Sequence, residues 1–139
     1  MLKEFSVVIE DNLRWGDMDA FQHVNNTLYF RYFEEARIAY FHKIKIIEEM
    51  KHSGIGPILK STLCTFRIPL TFPDTISIGT KVSLIESDRF LMNYAVFSHH
   101  HQKIAAEGEG IIVSFDYPNA KKVPLPVKVV DAIRTLERF

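Results

Sequence analysis

Apolar side chains recur every three or four positions in the first third of the chain. The repeating positions are Tyr29, Tyr32, Phe33, Ala36, Tyr40 and Phe41. This spacing predicts one long helix with an apolar stripe, and we expect the helix to be buried on nearly all sides. Two pairs of opposite charge, Arg31 with Glu35 and Glu34 with Arg37, have the spacing of ion pairs along its edge.

Strand-like segments stand on both sides of this helix. One run, Phe5–Glu10, precedes it, and four follow it: Ile58–Ile68, Lys81–Ile85, Leu91–Ser98 and Ala105–Tyr117. Pro73 and Asp74 predict a bend or an edge strand within residues 70–78. Residues 100–103 have the composition of a hairpin turn, and the segment after Pro126 predicts a short amphipathic helix.

The order of these elements predicts an α+β fold. One helix followed by several strands with short connections is typical of an antiparallel sheet. We therefore expect a curved sheet of about five strands wrapped around the long helix. Because the chain contains no repeat and no long linker, residues 1–139 are predicted to form a single domain.

Composition narrows the classes of function. Hydrophobic residues make up 47% of the 139 residues, which is enough to build a core. The 17 basic and 17 acidic residues cancel, which argues against a nucleic-acid partner. The sequence contains neither a signal-like apolar run near residue 1 nor a membrane-spanning stretch. A single cysteine, Cys64, fits a reducing compartment, so we expect a cytoplasmic protein.

Two carboxylates, Asp17 and Asp19, stand shortly before the predicted helix. A polar turn, His23–Asn26, separates them from it. The first N–H groups of a helix lack partners within the helix and lie at the positive end of its dipole, so they can hold a developing oxyanion. A carboxylate that faces the same point can act as a base or as a nucleophile.

Residues 14–41 resemble the hotdog-fold acyl-CoA thioesterases of the 4-hydroxybenzoyl-CoA thioesterase type. That family carries Asp-x-Asp, a His-Val-Asn-Asn-like turn, Tyr, and then Glu-x-x-Arg on the helix. The matching residues here are Asp17, Asp19, the turn at residues 23–26, Tyr29, Glu34 and Arg37. From Gly56 to about Lys122 the resemblance lies in element order only. It implies a hotdog fold, an acyl-CoA substrate with no separate cofactor, and subunits paired into homodimers or homotetramers.

The resemblance also implies a role for each residue of the motif. Asp19 attacks the thioester carbonyl, or activates the water that does so, while the backbone N–H of Asn26 holds the thioester oxygen. Asp17 holds the loop by hydrogen bonds, and Asn25 supports it as a helix N-cap. His23 is expected to support the loop by hydrogen bonds to the Asp pair or the backbone, and the alternative is a general base. By residue type alone Asp19 is typical of a turn, and it is the surrounding motif that favours catalysis.

Two substrate contacts follow from the same resemblance. Tyr29 is expected to line the acyl pocket, although its spacing also fits core packing. Arg89 stands just before a strand, where family members often carry an arginine that neutralises the phosphates of CoA. Asp88 beside it weakens that attraction. Lys121 and Lys122 are more simply explained as solvated surface charges.

Other reactive residue types have simpler explanations. Glu34 and Glu35 stand on the helix, where another hotdog clade carries its catalytic carboxylate, but a Glu–Arg pair is more often an ion pair. The adjacent residues His99–His101 favour a turn over a metal site, and no metal is expected. Cys64 favours an inert core thiol. The sequence lacks the Gly-x-Ser-x-Gly nucleophile motif and the phosphate-binding glycine loops.

The sequence thus predicts an acyl-CoA thioesterase that releases a carboxylic acid and free CoA. The first alternative is a non-catalytic hotdog protein that binds acyl thioesters, although the presence of Asp19 favours the enzyme. The second is a hotdog dehydratase, which relies on a different loop motif. The identity of the acyl group, and the choice between CoA and acyl carrier protein as its carrier, stay open.

Overall fold

One long helix lies against a curved antiparallel sheet. The computed structural model describes residues 2–139. The helices are α1 (Asn26–Ile44), α2 (Ile46–Ser53) and α3 (Val127–Glu137). The strands are β1 (Val7–Asn12), β2 (Ile55–Phe66), β3 (Thr75–Ile85), β4 (Arg89–Ser98), β5 (Lys103–Asp116) and β6 (Lys121–Lys122). This is the α+β hotdog architecture that the sequence predicted.

The sheet has the strand order β1-β3-β4-β5-β2, and the two-residue β6 pairs with the end of β5. All of its pairings are antiparallel. In this order β1 and β2 are the edge strands. The 12-residue β2 therefore pairs only with β5, and most of its side chains are exposed.

The core fills the space between α1 and the sheet. The buried face of α1 consists of Tyr29, Tyr32, Phe33, Ala36, Arg37, Tyr40, Phe41 and Ile44. Alternate residues of β3 and β4, such as Ile78 and Met92, face this helix and are fully buried. Two aromatic contacts join the layers: the Phe33 and Tyr94 rings stack at 4.7 Å, and the Phe41 and Phe90 rings meet edge to face at 6.5 Å.

The helix is less enclosed than its composition predicted. Phe30 is 38% exposed and Ile38 is 45% exposed, and both lie on a face of α1 that no other element within residues 2–139 covers. The prediction of burial on nearly all sides is therefore wrong for this face. The two ion pairs predicted along α1 are present, Arg31–Glu35 at 3.6 Å and Glu34–Arg37 at 3.9 Å.

Strand β3 begins earlier than the sequence predicted. The bend at Pro73 and Asp74 ends at residue 74, and the strand runs without a break from Thr75 to Ile85. The alternation of buried Ile76, Ile78 and Thr80 makes this first half part of the core-facing ladder. The hairpin turn predicted at residues 100–103 lies at residues 99–102, since Lys103 already begins β5, and the predicted C-terminal helix is α3.

The C-terminal helix is tied to the rest of the fold through one carboxylate. The Oε2 atom of Glu137 accepts hydrogen bonds from the Tyr40 hydroxyl at 2.6 Å, the Ser6 hydroxyl at 2.8 Å and the Val82 backbone N–H at 3.0 Å. A charged acceptor makes such bonds stronger than neutral ones. Glu137 thereby joins α3, α1, β3 and the segment before β1. Within residues 2–139, no helix combines the length and apolar character needed to cross a membrane.

Candidate active site

A small hairpin places the motif residues beside the start of α1. Met18 and Val24 form an isolated antiparallel bridge, and the Asp19 N–H donates to the His23 carbonyl at 2.9 Å. The Gln22 N–H donates to the Asp19 carbonyl at 2.9 Å, and Gln22 adopts a φ of 62°, which closes the turn. Because these bonds are backbone bonds, the position of Asp19 is set by the fold of the loop.

The hairpin is anchored at its base on both sides. The Val24 N–H donates to the Leu70 carbonyl at 2.9 Å, and the Val24 side chain is buried. The Asn25 N–H donates to the Asp17 carbonyl at 3.0 Å. The loop before α1 is thus fastened to the segment between β2 and β3 and to the turn that carries Asp17.

The two carboxylates of the motif have different surroundings. The Asp17 carboxylate accepts a hydrogen bond from the Arg14 backbone N–H at 2.8 Å, so it closes the short 3-10 turn at residues 15–17. The Asp19 carboxylate accepts one from the Phe21 backbone N–H at 2.9 Å through Oδ1. This bond orients the Asp19 side chain, which is half-buried and borders a cavity.

The start of α1 combines a side-chain cap with an unpaired backbone donor. Asn25 has non-helical backbone angles, and its Oδ1 accepts hydrogen bonds from the Thr27 N–H at 3.0 Å and from the Thr27 hydroxyl at 2.9 Å. Asn26 is the first helical residue, so its N–H has no acceptor within the helix. No acceptor for this N–H is present elsewhere within residues 2–139.

One cavity of about 330 Å³ brings these groups together. Four of the residues singled out from the sequence border it: Asp19, His23, Asn26 and Tyr29. The rest of its lining consists of Phe21, Val24, Phe66, Arg67, Ile68 and Pro69. The end of β2 and the segment after it therefore form the wall opposite the helix start. Asp19 also borders a second cavity, of about 380 Å³, on the side of Trp15 and Gly16.

Tyr29 forms an apolar wall of the cavity near the helix start. Its ring meets the Phe66 ring edge to face at 5.0 Å and the Tyr32 ring at 5.8 Å. Burial raises the pKa of Tyr29 to about 12. The phenol is therefore neutral at pH 7 and can donate a hydrogen bond but cannot act as a base. Tyr29 combines both expected uses, because it is a core residue that also borders the cavity.

Arg67 borders the cavity and was not predicted from the sequence. It follows the last residue of β2, and its guanidinium pairs with Glu107 of β5 through Nε at 2.9 Å and through Nη2 at 2.7 Å. Both side chains are about half exposed. No motif marks Arg67, since its proximity to Asp19 arises only when β2 ends beside the hairpin.

Arg89 does not border this cavity. In the sheet register Arg89 is opposite Val113 of β5, which is opposite Ile58 of β2. Phe66, by contrast, is opposite Ala106, so the two rows are separated by roughly 23 Å along the strands. The Arg89 guanidinium pairs with Asp88 at 2.8 Å and 3.2 Å. This pairing lowers the pKa of Asp88.

The rival carboxylates lie outside the cavity. Neither Glu34 nor Glu35 borders it, and each is engaged in its ion pair on α1. Within residues 2–139, no three His, Cys, Asp or Glu side chains are arranged to hold a metal ion. His99 instead bonds the Ser77 hydroxyl at 2.7 Å. Burial raises the pKa of the Cys64 thiol to about 11, which makes it a poor nucleophile.

The geometry suits acyl transfer to water. A carboxylate and a free helix N-terminal N–H border one cavity, where the carboxylate can attack a carbonyl carbon or deprotonate water. The N–H, aided by the dipole of the 19-residue α1, can stabilise the oxygen that becomes negative. The aromatic wall can hold an apolar acyl group, and its rim is open to solvent at Phe21, which is 82% exposed.

Several of the known proteins that are similar to this chain carry the name thioesterase. The thioesterase of Thermus thermophilus, solved with coenzyme A and Zn, superposes with a TM-score of 0.86 at 25% identity, covering 99% of this chain and 98% of that one. The chloroplastic acyl-acyl carrier protein thioesterase ATL3 of Arabidopsis thaliana is 26% identical over 128 residues, which are 91% of this chain and 65% of that protein.

A third relative is the uncharacterized protein YsmA of Bacillus subtilis (strain 168). It is 30% identical over 90 residues, which are 65% of this chain and 60% of YsmA. The chain thus spans less than two thirds of the length of these two curated relatives.

The family assignment rests on a match that covers most of the chain. The model of the thioesterase-like superfamily matches residues 13–133, a span that includes the motif, the long helix and every strand of the sheet except β1. The enzyme class predicted from the sequence, a thioester hydrolase, is confirmed at this level. The chain belongs to the thioesterase-like superfamily.

Proposed function

We propose that this protein hydrolyses acyl-CoA thioesters to a carboxylic acid and free CoA. The observation that carries the proposal is that the Asp19 carboxylate and the unpaired N–H of Asn26 border one cavity. The family match and the thioesterase of Thermus thermophilus, which was solved with coenzyme A, support it. No separate cofactor takes part in the proposed reaction, because CoA belongs to the substrate.

In the proposed reaction the thioester oxygen accepts a hydrogen bond from Asn26 N–H. Asp19 then acts in one of two ways. As a base it takes a proton from water, whose oxygen bonds to the acyl carbon. As a nucleophile it bonds to that carbon itself, and water hydrolyses the resulting anhydride. In both cases the C–S bond breaks and the CoA thiolate leaves. In the base route the thiolate takes up the proton that Asp19 removed from water, directly or through solvent, and in the nucleophile route it is protonated by solvent, so that Asp19 ends as a carboxylate.

The supporting residues act by positioning the Asp19 carboxylate and the Asn26 N–H. Asn25 caps α1 and thereby fixes the direction of the Asn26 N–H. Asp17 holds the turn before Asp19 through the Arg14 N–H and accepts the Asn25 N–H at its carbonyl. We propose that His23, an exposed residue at the cavity rim, donates a hydrogen bond to the substrate or the loop.

We further propose that copies of this chain associate through the free edge of β2. The outer edge of β2 pairs with no other strand within residues 2–139, and its apolar residues Leu63 and Phe66 are 50% and 44% exposed. An exposed edge strand of this kind is usually paired with another strand or covered. If two copies join their β2 strands antiparallel, the Phe66 end of one strand lies beside the Ile58 end of the other. The Arg89 row of the second copy then approaches the Asp19 cavity, although Arg89 of the same copy is remote.

We therefore propose that Arg89 contacts the CoA phosphates across the interface of a homodimer, or of a homotetramer built from such dimers. Its pairing with Asp88 uses Nε and Nη2, so the remaining guanidinium N–H groups stay available for a phosphate. Arg89 is the main cause of the lowered pKa of Asp88, and Lys122 makes a smaller contribution in the same direction. Lys122 therefore adds positive charge beside the Asp88–Arg89 pair. The cytosol, where CoA thioesters are free, is the proposed location.

Replacement of Asp19 tests the catalytic carboxylate. In Asp19→Asn we expect kcat for CoA release to fall by roughly 100-fold or more, because the amide can neither attack nor take a proton. A thiol-release assay with acetyl-, butanoyl-, benzoyl- and decanoyl-CoA measures it. The matched control is Asp11→Asn, because Asp11 is a half-buried carboxylate on β1 that borders no part of the cavity.

Three other outcomes would change the assignment. Equal rates for Asp19→Asn and wild type would remove Asp19 from the mechanism. Tight binding of acyl-CoA without release by wild type would favour the non-catalytic binding protein. Release from an acyl-acyl carrier protein alone would leave the chemistry and change the carrier.

Proline at position 26 tests the backbone donor. Position 26 is the first residue of α1, where proline is well tolerated, and Asn25 has φ −59° and ψ 135°, which suit a residue before proline. Asn26→Pro should therefore keep the fold and lose only the N–H, and kcat should fall by about 100- to 1000-fold. Asn26→Ala retains the N–H and is the control, with near-wild-type kcat expected. Equal activity of the two variants would contradict the role of this N–H.

Mixing two variants tests whether Arg89 acts across an interface. Arg89→Ala should raise KM for acyl-CoA and leave kcat for a short pantetheine thioester nearly unchanged, since that substrate lacks the nucleotide phosphates. Co-refolding Arg89→Ala with Asp19→Asn should then restore a population of sites with wild-type KM. Each mixed dimer has one complete site, in which the Arg89→Ala subunit supplies Asp19 and the Asp19→Asn subunit supplies Arg89. Absence of such rescue in a verified mixed dimer would place Arg89 outside the site.

A further inference from the structure

Phe33 is a buried aromatic residue on the same face of α1 as Tyr29, which borders the cavity. Phe33 follows Tyr29 by four residues, so it lies one turn further along the same face of α1. Its side chain is 0% exposed. Its ring stacks on the Tyr94 ring at a centroid distance of 4.7 Å and an interplanar angle of 10°. An acyl group that extended past Tyr29 along the helix would meet this ring.

Gly108 of β5 allows Phe33 to reach the sheet backbone. A Cβ atom at position 108 would lie 2.7 Å from the Phe33 Cζ atom and 2.6 Å from the Leu63 carbonyl oxygen, both closer than real Cβ contacts. Gly108 pairs with Cys64, two residues before the cavity-lining Phe66. The Phe33 ring thus packs directly against the sheet backbone at Gly108.

We propose that Phe33, held against Gly108 and Tyr94, limits the acyl group to short aliphatic chains or a single aromatic ring. The inference rests on the proposed thioesterase function and adds the substrate class. Along the axis of α1, Phe33 lies about 10 Å from Asn26, the residue that holds the thioester oxygen. The acyl group must fit within this distance, between the helix and the aromatic side chains of Tyr29 and Phe66.

The experiment compares acyl-chain length preference in Phe33→Leu, Phe33→Ala and wild type. The readout is the ratio of kcat/KM for decanoyl-CoA to that for butanoyl-CoA. We expect wild type to favour butanoyl- and benzoyl-CoA. The ratio should rise by roughly tenfold or more in the variants, because the removed ring leaves room for further methylene groups. Phe33→Leu keeps most of the apolar volume, so at least this variant should fold.

Phe90→Leu is the matched control. Phe90 is equally buried, at 1% exposure, but it packs against Phe41 near the other end of α1. The Phe90→Leu variant should lose about as much stability as Phe33→Leu, while its ratio of kcat/KM for decanoyl-CoA to kcat/KM for butanoyl-CoA stays at the wild-type value. A folded, active Phe33→Leu enzyme with an unchanged ratio would overturn the proposal. A wild type that prefers decanoyl-CoA to butanoyl-CoA would overturn it as well.

Failure of the proposed function would be recognised separately. If wild type releases CoA from none of these substrates, the hydrolysis proposal fails. The affinities of wild type and Phe33→Leu for the same acyl-CoA series, measured by calorimetry, are then compared in place of the rates. Weak decanoyl-CoA binding by wild type that tightens about tenfold in Phe33→Leu would still support the length limit. Equal binding by both proteins, or binding by neither, would contradict it.

Discussion

The candidate site depends on the hydrogen bonds that fix the first turn of α1. Asn25 caps the helix through the Thr27 N–H, and its own N–H is held by the Asp17 carbonyl. The helix start and the carboxylate loop are therefore positioned by each other. Because Asn26 follows the cap directly, its N–H is left unpaired at the positive end of the helix dipole. In the proposed reaction this donor stays unpaired until a substrate arrives.

Core packing behind this turn also holds α1 in position. The α1 face that carries Tyr29 and Phe33 is buried against the sheet, so the helix cannot shift without breaking aromatic contacts with Phe66 and Tyr94. Because a densely packed core has low compressibility, it resists small displacements of the helix. The wall that is proposed to bound the acyl group is thus part of the core that stabilises the fold, and Gly108 provides the space for it. Stability and substrate size are linked through the same side chains.

The sequence predicted the parts of the site that are close in the chain. Asp17, Asp19, the turn at residues 23–26 and Tyr29 fall within 13 positions, and their pattern carries both the helix start and the chemistry. Arg67 was missed because only the pairing of β2 with β5 brings it to the cavity. Arg89 was assigned a substrate contact, but the register puts it at the far end of the sheet, so its role depends on a second copy. The apolar composition of α1 likewise predicted burial on nearly all sides, whereas Phe30 and Ile38, which lie outside the periodic stripe, are exposed.

Infrared spectroscopy of a bound thioester tests most directly whether the Asn26 N–H holds the substrate carbonyl. Benzoyl-CoA labelled with ¹³C at the carbonyl would be bound to Asp19→Ala, which should bind without turnover. The account predicts a carbonyl stretch shifted to lower frequency than in water, and a return toward the unbound value when Asn26→Pro is added. A stretch that is the same with and without the Asn26 N–H would contradict the account, because the carbonyl would then be held elsewhere.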